Sequence, residues 1–417
     1  MPTKSSSSAN KKTASRRPHN NIAKNGRRRT PENPKTRKSD NPLILIASGE
    51  PSGDRLAAAL MAAMKAQRKG LRFIGVGGEE MQKQGLKSAF PMADLAVMGL
   101  AEVVPAIPRI LARIRQLAAL AQAEKPSLII TVDSQDFSVR LAKATAALGI
   151  PHIHYVCPKV WAWRRHRVKK LKHLYTHLLS NLPFEPPFFK QAGIPCDYVG
   201  HSATTHLEAV AAQAKGQGTH FSLALLPGSR RAEMQRHWPL FLATYRRLKK
   251  LHPQLAATLA LPNQKALQTC QSLAPWGPED AITPVYGEDR FMALATSHAA
   301  LSKSGTNNLE LALLNIPAVI CYRMSGLTWA IAKRLVKVKF ISLPNLILNR
   351  CVYPEFIQTA ATEKNLARAL HPLLHNAASR RHQQNLLKQL QTAMHTPQPP
   401  AKQAAAIIMP YLETKKA

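Results

Sequence analysis

Three glycine-containing loops in this chain carry residues able to hold or move charge, and a carboxylate lies between them. The first, Ser48-Gly-Glu-Pro-Ser-Gly-Asp54, follows the aliphatic run Leu43–Ala47 and precedes a helix-forming run from Arg55. A buried strand, a glycine loop and a helix start together form a usual ligand position in α/β proteins. The same residues also suit a plain turn with Ser52 or Asp54 as helix cap. The second loop, Leu225-Leu-Pro-Gly-Ser-Arg-Arg-Ala-Glu233, runs through Gly228 and Ser229 into a helix. N–H groups at that helix start, beside Arg230, suit a diphosphate. The third, Leu301-Ser-Lys-Ser-Gly-Thr-Asn-Asn-Leu-Glu310, places Ser304, Gly305 and Thr306 at a helix start. Glu310 follows about one turn later, where a carboxylate can accept hydrogen bonds from ribose hydroxyls. Neither of these two loops is a dinucleotide fingerprint or a Walker sequence. Each alone fits a capped helix; together they favour a nucleotide diphosphate. Asp133 ends the run Leu128–Val132, and a carboxylate at the C-terminal edge of a buried parallel strand points into the ligand cleft.

The elements that must position these residues alternate. Strands are expected at Leu43–Ala47, Arg72–Val76, Leu128–Val132, His152–Val156, His177–Leu179 and Asp197–Val199, with helical segments between. A second series is expected at Phe221–Leu226, Ala256–Ala260, Ile282–Tyr286, His298–Leu301 and Ala318–Cys321. Strands alternating with helices imply parallel sheets covered on both faces. The expected organisation is a basic tail (1–40), two Rossmann-like halves facing a cleft (41–212 and 213–365), and C-terminal helices packing back on the body (366–417).

Composition excludes several classes. The chain has 417 residues and 45% hydrophobic content, enough for a sizeable core. Its 5 cysteines form no C-x-x-C pair, which fits reduced thiols rather than a disulfide framework. No apolar run is long enough to span a bilayer, and the N-terminus lacks the apolar segment of a signal peptide. The formal net charge of +35 is partly carried by residues 1–40, which are too polar to bury surface and are expected to be disordered. Nucleic acid or an anionic membrane would each answer such charge, and charge alone does not choose between them. His152 and His154 share one strand face, as a metal pair would, but no third ligand is in view. A structural role is the expected one, and no metal or other cofactor is called for.

Further motifs follow in order. They are Gly77-Gly-Glu-Glu-Met81, Val97-Met-Gly-Leu-Ala-Glu-Val103, Tyr155-Val-Cys-Pro-Lys-Val-Trp-Ala-Trp163, Leu182-Pro-Phe-Glu185 and Val199-Gly-His201. The second half adds Ser342-Leu-Pro-Asn345 and Pro354-Glu-Phe-Ile-Gln358 to the two glycine loops. The ordered set resembles the lipid-A-disaccharide synthase family over nearly everything from Leu43 to about Gln358; the first 40 residues have no counterpart in it. The resemblance implies an α/β GT-B fold, with two Rossmann-like domains whose parallel sheets face a central cleft. It also implies an inverting, metal-independent hexosyltransferase. Such an enzyme moves diacylglucosamine from UDP-2,3-diacylglucosamine to the 6-hydroxyl of 2,3-diacylglucosamine 1-phosphate (lipid X), giving the β(1→6) lipid A disaccharide and UDP.

The same resemblance assigns roles. Asp133 would be the base that takes the acceptor proton. Gly228, Ser229, Arg230, Ser304, Gly305, Thr306, Glu310, Asn345, Glu355 and Gln358 would hold the UDP-sugar. Ser48, Gly49, Glu50, Ser52, Asp54, Met98 and Glu102 would form the acceptor side. The family pattern after the base is Asp-x-Pro-Asp-Phe-Asn, whereas this chain has Asp133-Ser-Gln-Asp-Phe-Ser138, with Asp136 expected to cap the following helix. Cys157, Ser202 and Asn307-Asn308 are further departures. The segment Val103–Leu117 interleaves apolar residues with Arg109, Arg113 and Arg115, and the resemblance, with its acylated substrates, implies that Val103, Val104, Ile107, Ile110 and Leu111 face the membrane. The alternative is a helix packing that stripe on the sheet. The expected setting is cytoplasmic, at the anionic inner-membrane surface, with no specific nucleic acid and with a second copy of the chain as a candidate partner. Two other readings remain: another GT-B UDP-N-acetylglucosamine transferase or epimerase, and a basic RNA-binding protein.

Overall fold

A computed structural model describes residues 41–95, 100–163, 167–215, 220–335 and 338–413. The tail and Met98 lie outside the described residues, as do the side chains of Glu102, Val103 and Val104. The chain forms two parallel sheets. The first contains β1 (Leu43–Ser48), β2 (Arg72–Val76), β3 (Lys87–Ser88), β4 (Leu128–Val132), β5 (His152–Tyr155), β6 (His177–Ser180) and β7 (Cys196–Tyr198). Its spatial order is β3-β2-β1-β4-β5-β6-β7. The second contains β8 (His220–Leu226), β9 (Ala256–Ala260), β10 (Ile282–Val285), β11 (Ser297–Lys303), β12 (Ala318–Tyr322) and β13 (Glu355–Ile357), ordered β10-β9-β8-β11-β12-β13. This is the expected GT-B architecture.

The central strands are rich in buried aliphatic residues because both faces of each sheet are covered. Ile44 and Ile46 pack on one side of β1, Leu45 and Ala47 on the other. Leu223 and Leu225 alternate in the same way with Ala224 and Leu226 on β8. Two strands were not expected. Both β3 and β13 are edge strands of two or three residues with no aliphatic run, and only their neighbours make them strands. The helix Ala377–Met394 packs on the second half through Leu387, Leu390 and Met394. Past Pro397–Pro400 the chain crosses back, and Ala404, Ala405 and Ile408 pack into the core under β1. No helix among the described residues is long and apolar enough to cross a membrane.

Strand order locates the cleft. In each sheet the order reverses between two central strands, β1 and β4 in the first, β8 and β11 in the second. Chains leave in opposite directions there, and a crevice opens beyond the carboxyl ends of those strands. The four segments singled out by chemistry follow these four strands.

Candidate active site

In the first half the backbones are packed tightly. A Cβ on Gly53 would lie 2.4 Å from Ser48 Oγ and 3.3 Å from the Val132 carbonyl, so only glycine lets the first loop sit against β4. Glu50 occupies the cap position of the helix Pro51–Gln67, with Pro51 at its first residue. Ser48 is buried and Ser52 exposed. Asp133 and Ser134 both have left-handed backbones, φ 54° and 44°, a conformation that costs non-glycine residues energy and clusters at functional sites. The pair is held by Asp133 N–H donating to the Tyr155 carbonyl (2.9 Å) and by Ser138 Oγ donating to the Asp133 carbonyl (2.8 Å). Ser138, a departure from the family pattern, thus supports the turn. Burial raises the Glu50 carboxyl above its ordinary value and the Asp133 charge adds to this, while Ser134 and Arg230 oppose it. Glu50, Asp133 and Arg230 therefore share one electrostatic neighbourhood, although they come from both halves.

In the second half Gly228 has φ +121°, and a Cβ there would lie 2.7 Å from a Glu233 carboxylate oxygen. The Ser229 and Arg230 N–H groups, expected to be free for phosphate, donate to Glu233 Oε2 at 3.1 and 3.4 Å. Glu233 Oε1 meets Lys303 Nζ at 2.9 Å. Burial pushes the Glu233 carboxyl up, but Lys303 and the two backbone donors outweigh it and leave the carboxyl below its ordinary value. The anion position is thus filled by the protein's own carboxylate. Beside it opens a cavity of about 730 Å³ lined by Lys159, Arg230, Lys303 and Ser304–Thr306, and further out by Trp329, Val338 and Phe340. Asn308, a second departure, is fully buried; it accepts from Gly305 N–H (3.0 Å) and donates to Ser302 Oγ (3.0 Å), shaping the Ser-Gly-Thr turn.

Several expected ligand residues are instead committed to the protein. Asp54 is 5% exposed, and its carboxylate accepts from the N–H groups of Gly78, Glu80 and Met81, tying the first loop to the next helix. Glu355 accepts from the Ile341 and Ser342 N–H groups, Ser342 Oγ and Asn345 Nδ2. Asn345 is fully buried and accepts from the N–H groups of Val352 and Tyr353 at 2.8 Å. Gln358 is held by the Met324 backbone (2.8 Å). Through these bonds the three hold the segments of Ile341, Leu346 and Met324, which line the cavity. Glu310 is paired with Arg290 at 3.3 Å, and its carboxyl is raised by burial against the pull of that guanidinium. Asp136 makes no cap: the helix starts at Gln135 after the left-handed Ser134, and Asp136 is an exposed first-turn acid.

Part of the expected membrane stripe turns inward. Ile110 and Leu111 are half-buried against the core beside β1, whereas Ile107 is 38% exposed. His152 and His154 are both buried and share the Thr131 hydroxyl at 3.0 and 2.9 Å; burial pushes them down to about 3 and about 4. No group of three metal-ligating side chains occurs among the described residues.

Lys159, Glu233, Lys303 and Glu185 were not anticipated as site residues. A lysine at the end of a strand, directly before the Ser-Gly-Thr turn, was the available signal for Lys303. Glu185 is buried and takes hydrogen bonds from Trp161 Nε1 (2.9 Å) and Ser180 Oγ, so it anchors the tryptophan beside the cavity. Burial raises its carboxyl from 4.5 to about 7. The folded chain therefore keeps a proton that the unfolded chain has lost across that interval. This contribution to stability is complete below the interval and is lost as pH rises through about 7. Glu185→Gln should flatten the dependence of the melting temperature on pH between about 4.5 and 7. Equal slopes for the two proteins would show that Glu185 is not the titrating group.

Residues 44–409 match the family pattern described as Lipid-A-disaccharide synthetase. The lipid-A-disaccharide synthase of Rhodospirillum centenum is 39% identical over 355 residues, covering 82% of this chain and 87% of the relative. That of Pseudomonas fluorescens is 41% identical over 339 residues, covering 80% and 90%. Among solved structures, the UDP-N-acetylglucosamine 2-epimerase from Rickettsia bellii aligns with a TM-score of 0.56 at 13% identity, covering 89% of this chain and 96% of that one. The UDP-GlcNAc 2-epimerase of Methanocaldococcus jannaschii, in complex with UDP-GlcNAc and UDP, aligns at 0.55 and 10% identity, covering 88% and 99%. At such identities the structural likeness is one of fold. The sequence match is far stronger, and on it the chain belongs to the lipid-A-disaccharide synthase family.

Proposed function

We propose that the cleft performs the inverting transfer of this family, with Asp133 as base and the Arg230 turn with Lys303 as diphosphate anchor. The donor is UDP-2,3-diacylglucosamine and the acceptor lipid X. Asp133 takes the proton of the acceptor 6-hydroxyl as that oxygen attacks the anomeric carbon from the face opposite UDP. The departing diphosphate gathers negative charge, and Arg230, Lys303 and Lys159 meet it. The Ser229 and Arg230 N–H groups, held by Glu233 without ligand, become available when phosphate oxygens take the carboxylate's place. Glu50 lies in the same electrostatic neighbourhood as the base.

The observation that supports this most is that Asp133 and Arg230 follow crossover strands of the two sheets, β4 and β8, with the Glu50 carboxyl in the field of both. UDP release from UDP-2,3-diacylglucosamine, with and without lipid X, tests the reading. Release that needs lipid X and yields the disaccharide supports it. Turnover of unacylated UDP-N-acetylglucosamine instead would point to another transferase or an epimerase.

The substrates carry acyl chains, so the enzyme works at a membrane surface, with Ile107 and the exposed Arg109 and Arg115 as the contact on this side. Ile107→Ser should reduce binding to anionic vesicles several-fold while turnover on detergent-dispersed substrate changes little. Unchanged vesicle binding would move the contact elsewhere.

A further inference from the structure

Beside the cleft, a groove of about 630 Å³ runs between the helices Leu100–Glu124, Gln135–Thr145 and Val168–Leu171. This lies within the usual range for small-molecule sites, about 300–1,000 Å³. Its floor is apolar: Ile114, Val160 and Leu171 are buried, and Val139 and Leu174 half-buried. Its rim is cationic. Arg115, Arg140, Lys143, Arg167 and Lys170 line it, all exposed, against the single carboxylate of Asp136. Among the described residues none of these five cations takes part in an ion pair. An apolar trough bordered by several unpaired cations complements an anionic amphiphile, because acyl carbon can cover the floor while phosphate meets the rim.

Position narrows the occupant. The groove starts at Gln135, two residues after Asp133, and Asp136, Val139, Arg140 and Lys143 follow it along one helix face. Arg140 lies about 7.5 Å along the helix axis from Gln135, and Lys143 about 12 Å, at the α-helical rise per residue. A phosphate held there lies on the helix that begins two residues after Asp133. Val160 lines the groove while its neighbours Lys159 and Trp161 line the donor cavity, so the two spaces share a wall.

We propose that this groove seats the acceptor, with its 1-phosphate at Arg140, Lys143 and Arg167 and acyl carbon over Val139, Val160 and Leu171. The proposal rests on the transfer reaction read above and adds where the second substrate lies and which residues select its phosphate.

The test is Arg140→Glu/Lys143→Glu in the full chain, with Arg167→Ala/Lys170→Ala as a second variant. Initial rates are measured against lipid X at saturating donor and against donor at saturating lipid X. Equilibrium binding of lipid X is measured without donor. The KM and Kd for lipid X should rise at least about tenfold, the size of a lost charge-assisted contact, while the donor KM and the melting temperature hardly move. For 2,3-diacylglucosamine lacking the phosphate, the native chain and the variants should behave alike. An unchanged lipid X KM and Kd in both variants overturns the assignment. An unchanged lipid X KM with lost binding to phosphatidylglycerol vesicles also overturns it, and makes the groove a site for bilayer lipid. Absence of any turnover by the native chain would remove the reading of the reaction, and the lipid X binding curves would still decide the groove.

Discussion

Replacing Asp133 by asparagine is expected to lower kcat by about 10²–10⁴-fold, the usual worth of a positioned general base. Asparagine keeps the size and a hydrogen-bonding oxygen but cannot take a proton at neutral pH. The left-handed turn should survive, because its supports are the Tyr155 carbonyl and the Ser138 hydroxyl, and neither involves the carboxylate. Asparagine also tolerates that backbone region well. UDP affinity should hardly change, since the nucleotide is assigned to the other sheet. The same change at Asp136, one turn outward on an exposed position, should cost far less in kcat. If Asp136→Asn proves the more damaging, the base has been placed three residues too early. Full activity in both variants would leave Glu50, the other carboxylate of this neighbourhood, as the next candidate.

Lys303→Ala should weaken UDP binding by about tenfold or more and also lower stability. A charge-assisted contact is worth roughly 1.5–3 kcal/mol, and about 1.4 kcal/mol is one factor of ten. The stability effect has a separate cause. Lys303 is the cation that compensates Glu233 at 2.9 Å, and both side chains are largely buried. Removing it leaves a carboxylate supported only by two backbone donors, at a cost of up to roughly 3 kcal/mol, the low end for breaking a buried pair. Calorimetric titration with UDP and denaturant unfolding separate the two effects. Lower stability with unchanged UDP affinity would make Lys303 a strut for Glu233 and no part of the nucleotide site.

Much of the candidate site was legible as position but not as role. The glycines of the first and second loops marked turns from strand to helix, and at Gly53 and Gly228 a Cβ would collide with Ser48 Oγ and the Glu233 side chain. Asp54, Asn345 and Glu355 were legible as chemistry-bearing residues in the right loops. Their oxygens and nitrogens nevertheless turn to backbone partners, and a linear pattern does not say which way a side chain turns. Ile110 and Leu111 show the same limit. Helical spacing of apolar residues describes a stripe, and whether that stripe meets lipid or a sheet depends on what lies opposite it.

By itself the sequence determined what short-range physics can encode. Short apolar-rich runs specified the central strands, and the alternation with helical segments made their sheets parallel. Glycine and capping residues marked where strands end. What only the tertiary structure decided is who meets whom. Lys303 reaches Glu233 across 70 positions, and Trp161 is held by Glu185 across 24. Helix Pro400–Ile408 returns to the core of the first half, and β13 exists only because β12 offers an edge. Strand order placed Asp133 beside Glu50 and Lys303 beside Glu233, since β4 lies against β1 and β11 against β8. Local propensity is blind to that order, because burial and pairing energies arise only when distant segments share a sheet, and there the chemistry of this site was assembled.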